Sequence, residues 1–416
     1  MRVLRIWKNR WIQIATGCML LMLLSGCDLI MDPKLLMKSP ELTSDNQTLK
    51  SVIDQNIPGG VLIRPRGSKD VSTIRTVDLN QDGTKEAVVF YETPNETVKI
   101  HGMILEEAKD TWTVKTVFDG EGDVLESLEF ADLNHDGKLE IVAGYSREDQ
   151  DIDKGLTIYR YVSASVEKIF EIPYTYFSVD DLNGDGLKDL TIVSFKKDQY
   201  NTVTTYQYDG TFKEMDKLQL ESNINKYLNF VAGNVTSKQK GIILDASILT
   251  HSAYSILITM EQNKLVNVLK QDSMYKDYPL LSGDVNNDNI LEVGQISLPK
   301  GWDSTTLADA PHFLDFYQWD GVKSLKMVMQ QYLDNEGRFV FNFPPELKQD
   351  ITIDPKSDLS KDIKFTRIST KQEVAEIKVF ALAEWDHIKD DWQLLIRDND
   401  KVIGYHTSYD MKVLKR

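Results

Sequence analysis

Cysteine and histidine are scarce in this chain. Only two cysteines, Cys18 and Cys27, occur among the 416 residues, and both lie near the start. A disulfide framework and a cysteine-ligated zinc site are therefore excluded for the remainder of the chain. The six histidines are scattered and show no paired spacing. Stability must come from packing, together with any ions that oxygen ligands bind.

Short catalytic motifs are also missing. The chain contains no G-x-S-x-G elbow, no H-E-x-x-H pair and no glycine-rich phosphate loop. We therefore do not expect an enzyme. A site assembled from distant loops would carry no such motif, so an enzyme stays as the alternative.

Positive charge is in deficit. Asp and Glu number 64 against 48 Lys and Arg, which gives a net charge of −16. The first ten residues supply four cations, so the rest of the chain carries −16 minus 4, or −20. A surface this acidic repels nucleic acid and anionic lipid, and neither is expected as a partner. It suits a protein that gathers cations.

An uncharged apolar stretch follows the basic residues at the start. Residues 11–24, WIQIATGCMLLMLL, are too few to span a bilayer comfortably and have the shape of a signal peptide. The tetrapeptide Leu-Ser-Gly-Cys, which begins at the last residue of this stretch and ends at Cys27, resembles the lipobox of bacterial lipoproteins. The resemblance implies cleavage before Cys27, lipid on its thiol, and anchoring on the extracytoplasmic face of the cell membrane. We predict a signal peptide over 1–26 and a tether over 27–55; an uncleaved membrane anchor is the alternative.

One aspartate-rich pattern, D-x-N-x-D-[GN]-x-x-[DE], recurs along the chain. Its copies begin at Asp78, Asp132, Asp181 and Asp284, with spacings of 54, 49 and 103 residues. The last spacing is about twice the others, which predicts a degenerate copy near residue 232. Asn234 begins such a copy, and the two new gaps become 53 and 50 residues.

The segments after each copy have the composition of β-strands. A short apolar run follows at once, and two further runs rich in branched and aromatic residues are joined by a polar turn. With the strand that enters the loop, each period of about 50 residues holds about four strands. We predict an all-β fold in which residues 56–330 form a β-propeller of about five four-stranded blades, with five to seven allowed. A β-solenoid or sandwich array is less favoured. The run at 60–65 (GVLIRP) is expected to close the ring against the last blade.

Alternate positions of each loop carry oxygen ligands. Calcium takes about six to eight oxygens, which positions one, three, five and nine and a carbonyl at seven offer. The predicted ligands are Asp78, Asn80, Asp82 and Glu86 in loop one; Asp132, Asn134, Asp136 and Glu140 in loop two; Asp181, Asn183, Asp185 and Asp189 in loop three; and Asp284, Asn286, Asp288 and Glu292 in loop five. Three carboxylates per loop repel one another unless a cation lies between them.

Position six of each loop needs a residue that tolerates positive φ. Gly83, Gly137 and Gly186 take it in loops one to three, and Asn289 takes it in loop five. The degenerate loop four instead has Asn234, Thr236, Lys238 and Ile242 at the ligand positions, so we expect no calcium there and an ammonium group in its place.

Two other kinds of loop share part of this pattern. An EF-hand needs a Glu at position twelve and flanking helices, whereas these loops have Val89, Ala143, Ile192 and Gln295 there, between strands. The EF-hand is therefore excluded. Asx-turns in hairpins without any ion stay as the alternative.

The repeated segments resemble FG-GAP or VCBS-type repeats, the blade motif of the integrin α-chain N-terminal propeller and of many bacterial surface proteins. The likeness covers five units over residues 73–330. It implies a calcium-stabilised propeller, with ions in loops that link strands within a blade. Loop four departs from the motif, and clear Phe-Gly and Gly-Ala-Pro elements are missing.

The pattern changes near residue 331. Residues 331–416 hold several strand-like runs and one short helical stretch at 383–391, which predicts a small, mostly β C-terminal domain. The function we predict is an extracytoplasmic, membrane-anchored binding module. We expect a monomer with structural calcium, and an unidentified protein or glycan as its ligand. The alternative is an enzyme acting on a polysaccharide or cell-wall polymer in the propeller channel, which aromatic residues and unpaired acids there would favour.

Overall fold

The computed structural model describes residues 44–68, 70–94, 97–109, 111–147, 150–248, 252–269, 274–306 and 309–415. The predicted signal peptide, the lipidation residue Cys27 and the first part of the predicted tether lie outside these ranges. Within them, no helix has the length and apolar character that crossing a bilayer requires.

The chain divides into two compact units, Met1–Pro58 with Glu107–Val114, and Gly59–Glu106 with Lys115–Arg416. In the first unit, α1 (Ser44–Asn56) occupies the end of the segment predicted as a tether. Leu49 and Ile53 are buried and lie four residues apart, so they share one helix face, and Ile57 directly after the helix is buried as well. An ion pair of 3.1 Å between Lys50 and Asp54 lies on the exposed side.

The first three sheets are antiparallel. Sheet one contains β1 (Val61–Ile63), β2 (Ile74–Val77), β3 (Glu86–Glu92), β4 (Ile100–Ala108) and β5 (Thr111–Asp119). Sheet two contains β6 (Val124–Ala131), β7 (Glu140–Arg147), β8 (Gln150–Val162) and β9 (Ser165–Tyr174). Sheet three contains β10 (Tyr176–Asp180), β11 (Asp189–Lys196), β12 (Tyr200–Tyr208) and β13 (Phe212–Gln219).

The next three sheets are also antiparallel. Sheet four contains β14 (Lys226–Asn234), β15 (Lys240–Ser247), β16 (Ala253–Glu261), β17 (Lys264–Asn267) and β18 (Tyr275–Lys276). Sheet five contains β19 (Val293–Ser297), β20 (His312–Trp319), β21 (Leu325–Leu333), β22 (Phe339–Asn342) and β28 (Lys412–Lys415). Sheet six contains β23 (Ile351–Ile353), β24 (Asp362–Arg367), β25 (Glu373–Ala381), β26 (Gln393–Arg397) and β27 (Lys401–Thr407), and a short helix, α2 (Leu382–Ile388), follows β25.

The all-β prediction is confirmed, and so is the four-stranded repeat in sheets two and three, whose strands pair in chain order. Sheet five departs from the repeat because its first strand is reduced to a bridge between Gly283 and Glu292. Closure of the sheets into a propeller and the number of blades stay predictions.

The burial of the strands decreases from the second strand to the fourth within a repeat. The second strand is almost wholly buried, as in β3, β7 and β15. The fourth strand alternates with exposed residues, as in β9 and β13. An unbroken apolar run is typical of a strand covered on both faces, whereas alternation is typical of one open face. Loops one and two therefore lead directly into a strand that is almost wholly buried.

The expectation for the run at 60–65 is wrong. β1 does not pair with the last repeat; Val61 lies opposite Glu92, and Ile63 opposite Phe90, in sheet one. β2 continues along the same edge of β3, with Ile74 opposite Val89. Only a short connection separates β1 from β2, which keeps both beside one strand.

The strand-like runs of the C-terminal region lie in strands, but pairing crosses the predicted boundary at 331. That residue falls inside β21, and both β22 and β28 pair in sheet five. Phe341 of sheet five and Phe365 of sheet six stack at 6.0 Å within one hydrophobic cluster. The domain boundaries themselves stay predictions.

Candidate metal centres and a crevice between first strands

Each aspartate-rich loop connects the first strand of a sheet to the second. Loops one, two and three join β2 to β3, β6 to β7 and β10 to β11, and their ninth residue is the first residue of the second strand. In loop five, Gly283 and Glu292 form the bridge that closes the loop. All sixteen predicted ligands lie within described residues.

The four loops share one hydrogen-bond network. The position-six N–H donates to the position-one carboxylate at 2.9–3.0 Å in every loop. The position-five N–H donates to the Asn oxygen of position three at 2.8–3.0 Å. The position-seven N–H donates to the position-five carboxylate at 2.8–2.9 Å. These bonds turn the three side chains toward the centre of the loop.

The positive φ predicted at position six is confirmed. It is +90° at Gly83, +84° at Gly137, +88° at Gly186 and +65° at Asn289. Position four adopts positive φ as well, as at His135 with +62°, which the pattern did not predict. The His135 side chain is half-buried.

The ninth acid is buried in all four loops. Its relative exposure is 1% for Glu86 and Glu140 and 0% for Asp189 and Glu292. One oxygen accepts the N–H of the loop's second residue, at distances of 2.7–3.1 Å. In the described part of the chain, Oδ1 of Asp189 is buried and has no hydrogen-bond partner, and the same holds for Oδ1 of Asp132.

Burial raises the pKa of each ninth acid, and the neighbouring loop acids add to the effect. The pKa of Asp189 rises to about 6, with Asp185 and Asp181 contributing after burial. The pKa of Glu292 rises to about 7, with Asp288 and Asp284 contributing after burial. The pKa values of Glu86 and Glu140 are raised for the same reason. Each loop thus holds a concentration of negative charge that a cation would relieve.

The carboxylate groups come closest together in loop five. Within the described residues, only this loop gathers three carboxylates, with one oxygen each of Asp284, Asp288 and Glu292 within 4.8 Å of one another. The acids of loops one to three do not meet that closely. Gln318 of the neighbouring strand β20 adds to the centre of loop five, since it donates to Asp288 at 2.8 Å and to Glu292 at 2.7 Å.

Strand register decides which residue faces the ninth acid. The register of the second and third strands places Glu86 opposite Glu106. One residue beyond the last paired residues of the other sheets, the same register brings Arg160 opposite Glu140, Gln207 opposite Asp189 and Gln318 opposite Glu292. Nε of Arg160 lies 3.7 Å from Glu140, and Gln207 donates to Asp185 at 2.8 Å. Sequence reasoning missed this set because the register is not a local property.

Loop four keeps a turn but not the ligands. The N–H of Val235 donates to the Gln239 carbonyl at 2.9 Å, and Ile242 is fully buried in place of the ninth acid. Lys238 is exposed, as are Asp82 and Asp136 at the same position of loops one and two. The pairing of Asn234 with Lys240, against that of Asp180 with Asp189 in loop three, makes this turn shorter. Where the ammonium group lies relative to the loop centre stays a prediction.

A separate cavity of about 540 Å³ lies where first strands meet, and we call it the first-strand crevice. Its walls include Glu126 and Glu129 of β6, Tyr176 of β10 and Phe230 of β14. Tyr176 and Phe230 stack with an interplanar angle of 6° and a centroid distance of 5.2 Å. Lys154 donates to Glu126 at 3.1 Å. This constellation of aromatic rings and acids was not predicted from sequence.

Comparisons with known proteins identify no family. No family model matches the chain, and no curated protein matches it. Among solved structures, the exotype rhamnogalacturonan lyase YesX matches at 10% identity and a TM-score of 0.31, over 69% of this chain and 71% of that chain. Sqt1 of Saccharomyces cerevisiae matches at 8% and 0.34, over 78% and 93%, and rhamnogalacturonan lyase YesW at 14% and 0.32, over 72% and 67%. Likenesses at TM-scores of 0.31–0.34 carry no argument about this chain.

Proposed function

We propose that this protein is a lipid-anchored extracytoplasmic binding module whose repeats form a calcium-stabilised β-propeller. The observation that carries the proposal is the buried ninth acid, repeated in four loops with one hydrogen-bond network. Burying a carboxylate is costly unless it is paired. A divalent cation in each loop would offset that cost.

The residues present fit calcium. Asp284, Asp288 and Glu292 bring three carboxylates together in loop five, and the unpartnered Oδ1 of Asp189 offers a ligand in loop three. Carboxylate and amide oxygens are the ligands that calcium prefers. When bound, the ion supplies charge neutralisation that ties the ends of the first and second strands together; it takes part in no reaction.

A calcium titration followed by native mass spectrometry tests this proposal. We expect several bound ions per chain, and one fewer in Glu292→Gln, which keeps the shape of the side chain but removes a charge from loop five. Glu384→Gln removes a charge from an exposed position of α2 and should bind as many ions as the wild type. A chain that binds no calcium at millimolar concentration contradicts the proposal.

The membrane anchor has its own test. We expect the wild-type protein to fractionate with membranes and Cys27→Ala to lose its lipid, because the thiol is the only acceptor that the lipobox resemblance provides. Metabolic labelling with a fatty acid measures the modification directly. Label retained on Cys27→Ala refutes the anchor. The proposal implies that the protein is a monomer and that its partner is a protein or glycan outside the cytoplasm. Nucleic acid is not expected as a partner.

A second candidate function is an enzyme acting on a polysaccharide, and the first-strand crevice favours it. Burial raises the pKa of Glu126, but hydrogen bonds from Ser146 and Lys154 lower it more. The pKa of Glu129, three residues away, is raised by burial. Carboxyl groups with pKa values moved in opposite directions suit general acid–base chemistry. Release of new reducing ends from a polysaccharide by the wild type, and its loss in Glu129→Gln, would support this candidate.

A further inference from the structure

We propose that the first-strand crevice binds an amino sugar, with the apolar face of the sugar ring against Tyr176 and its ammonium group against Glu129. This inference rests on the proposed function only in treating the protein as a binding module. It does not depend on whether the loops bind calcium, because none of the predicted loop ligands lines the crevice.

The dimensions of the crevice suit a small ligand. Its volume of about 540 Å³ falls within the range of roughly 300–1,000 Å³ that small-molecule sites occupy. Its walls include residues of three successive first strands, β6, β10 and β14, together with Lys154 of β8, Tyr174 of β9, and Pro65 and Gly67 from the connection between β1 and β2. Rigid strands, rather than a long loop, therefore position the side chains.

Aromatic surface is present on one wall. Tyr176 and Phe230 stack almost parallel, and both are half-buried, so part of each ring stays open to the crevice. The Tyr176 hydroxyl makes no hydrogen bond to other described residues. Sugar rings carry apolar C–H faces alongside their hydroxyl groups, and a large aromatic side chain with a polar tip complements both.

The charges of the crevice leave one carboxylate uncompensated. Glu126 is matched by Lys154 at 3.1 Å, by Arg66 at 3.2 Å and by the Ser146 hydroxyl at 2.7 Å. Glu129 makes no hydrogen bond or ion pair with any described residue, and only the more distant charge of Lys188 stabilises its ionised form. The side chain is exposed to water within the crevice, yet the protein around it raises its pKa.

An ammonium group is the ligand feature that complements this arrangement. It donates charge-assisted hydrogen bonds to an ionised carboxylate, which are stronger than bonds between neutral groups. A sugar acid would instead be repelled by Glu129 and by the negative field of a chain with net charge −16. Aromatic surface beside an uncompensated carboxylate thus favours an amino sugar over an acidic one.

Calorimetry on the full chain at saturating calcium tests the inference with three tetrasaccharides: β-1,4-linked glucosamine, its N-acetylated form and galacturonate. We expect the glucosamine tetramer to bind about tenfold more tightly than the N-acetylated one, and galacturonate not to bind. Glu129→Gln should weaken glucosamine binding about tenfold. Glu167→Gln, which removes an exposed charge from β9 of the same sheet, should leave it unchanged.

Several results would overturn the inference: no saturable binding of glucosamine tetramer to the wild type, unchanged binding by Glu129→Gln, or tightest binding of galacturonate. The aromatic contact is tested with Tyr176→Leu, which should lose binding, and with Tyr176→Phe, which keeps the ring and should bind within about twofold of wild type. Thermal melts of both variants show whether they are folded. Equal loss in a folded Tyr176→Phe would refute the ring contact. Calcium stoichiometry, measured separately, distinguishes failure here from failure of the proposed function.

Discussion

Position six of the aspartate-rich loops shows how one backbone angle selects a residue. A φ near +90° is strained for any residue with a Cβ, and glycine takes it in loops one to three. Gly186 has open space where a Cβ would lie, so backbone strain is separable from steric clash there.

Gly186→Ala should therefore lower the free energy of unfolding by about 1–2 kcal/mol, the cost of a left-handed backbone for an L-residue. Urea denaturation measures this. Gly155→Ala on β8 is the matched control, since its Cβ also meets nothing within 4 Å and its backbone is extended. Equal midpoints for the two variants would contradict the strain argument.

The residue opposite the ninth acid should set the affinity of each loop for a cation. In loop two that residue is Arg160, whose guanidinium lies 3.7 Å from Glu140 and also donates to Tyr208 at 2.9 Å. In loop three the equivalent residue is the neutral Gln207. A fixed positive charge competes with a metal ion for the same carboxylate.

A reciprocal exchange tests this competition. Arg160→Gln should raise the calcium affinity of loop two about tenfold, and Gln207→Arg should lower that of loop three by a similar factor, as expected for one unit charge about 4 Å away. Native mass spectrometry across a calcium titration shows which binding step shifts to a lower or a higher calcium concentration. If neither variant alters the sequence of bound states, the cross-strand residue has no such role.

The turn geometry of the loops and the positive φ at position six were predictable, because the residues that set them lie within nine consecutive positions. That the loop acids bind calcium stays a prediction. Arg160 and Gln207 were not predictable, since strand pairing brings them to the loops from about 20 residues away.

Among the secondary-structure elements, the buried second strands followed directly from unbroken apolar runs. The helix α1 was missed, although Leu49 and Ile53 are spaced for one helix face, because the polar residues around them masked the period. The short strand β18, which precedes loop five, was also not predicted. There Lys276 on β18 is fully buried and donates to Asp245 on β15 at 2.8 Å.

Asp245 fixes the chain that leads into loop five. Besides Lys276, it accepts from the N–H of Ser282 at 2.7 Å and from the Ser255 hydroxyl at 2.5 Å. Burial raises its pKa, but the Lys276 charge and these hydrogen bonds lower it more, so its pKa lies below the ordinary value. The carboxylate is therefore ionised within the protein interior.

Lys276→Met should lower the free energy of unfolding by about 3–5 kcal/mol, because it leaves a buried carboxylate without its counter-charge. Equilibrium urea denaturation measures the change. Lys264→Met is the control, since Lys264 pairs with Asp216 at an exposed site and such pairs contribute about 1 kcal/mol or less. Similar effects of the two changes would show that burial of the Lys276 pair does not matter.

At the scale of the whole molecule, the repeat of about 50 residues predicted the four strands of sheets two and three, but not the fifth strand of the other sheets or how the chain ends. The change of pattern near 331 suggested a separate C-terminal domain. Within the described residues, β28 returns to pair with β22, with Val340 opposite Leu414. Such a return depends on contacts between residues distant in sequence, which composition and period do not encode.

The central claim is that calcium stabilises the repeated fold. Thermal melting of the protein with excess EDTA and with millimolar calcium, with magnesium as a control, tests it most directly. A ligand at 100 times its dissociation constant adds about 2.7 kcal/mol per site, so several sites should raise the melting temperature by at least about 5 °C. The account predicts that rise with calcium and a much smaller one with magnesium. Superimposable curves in EDTA and calcium would contradict it.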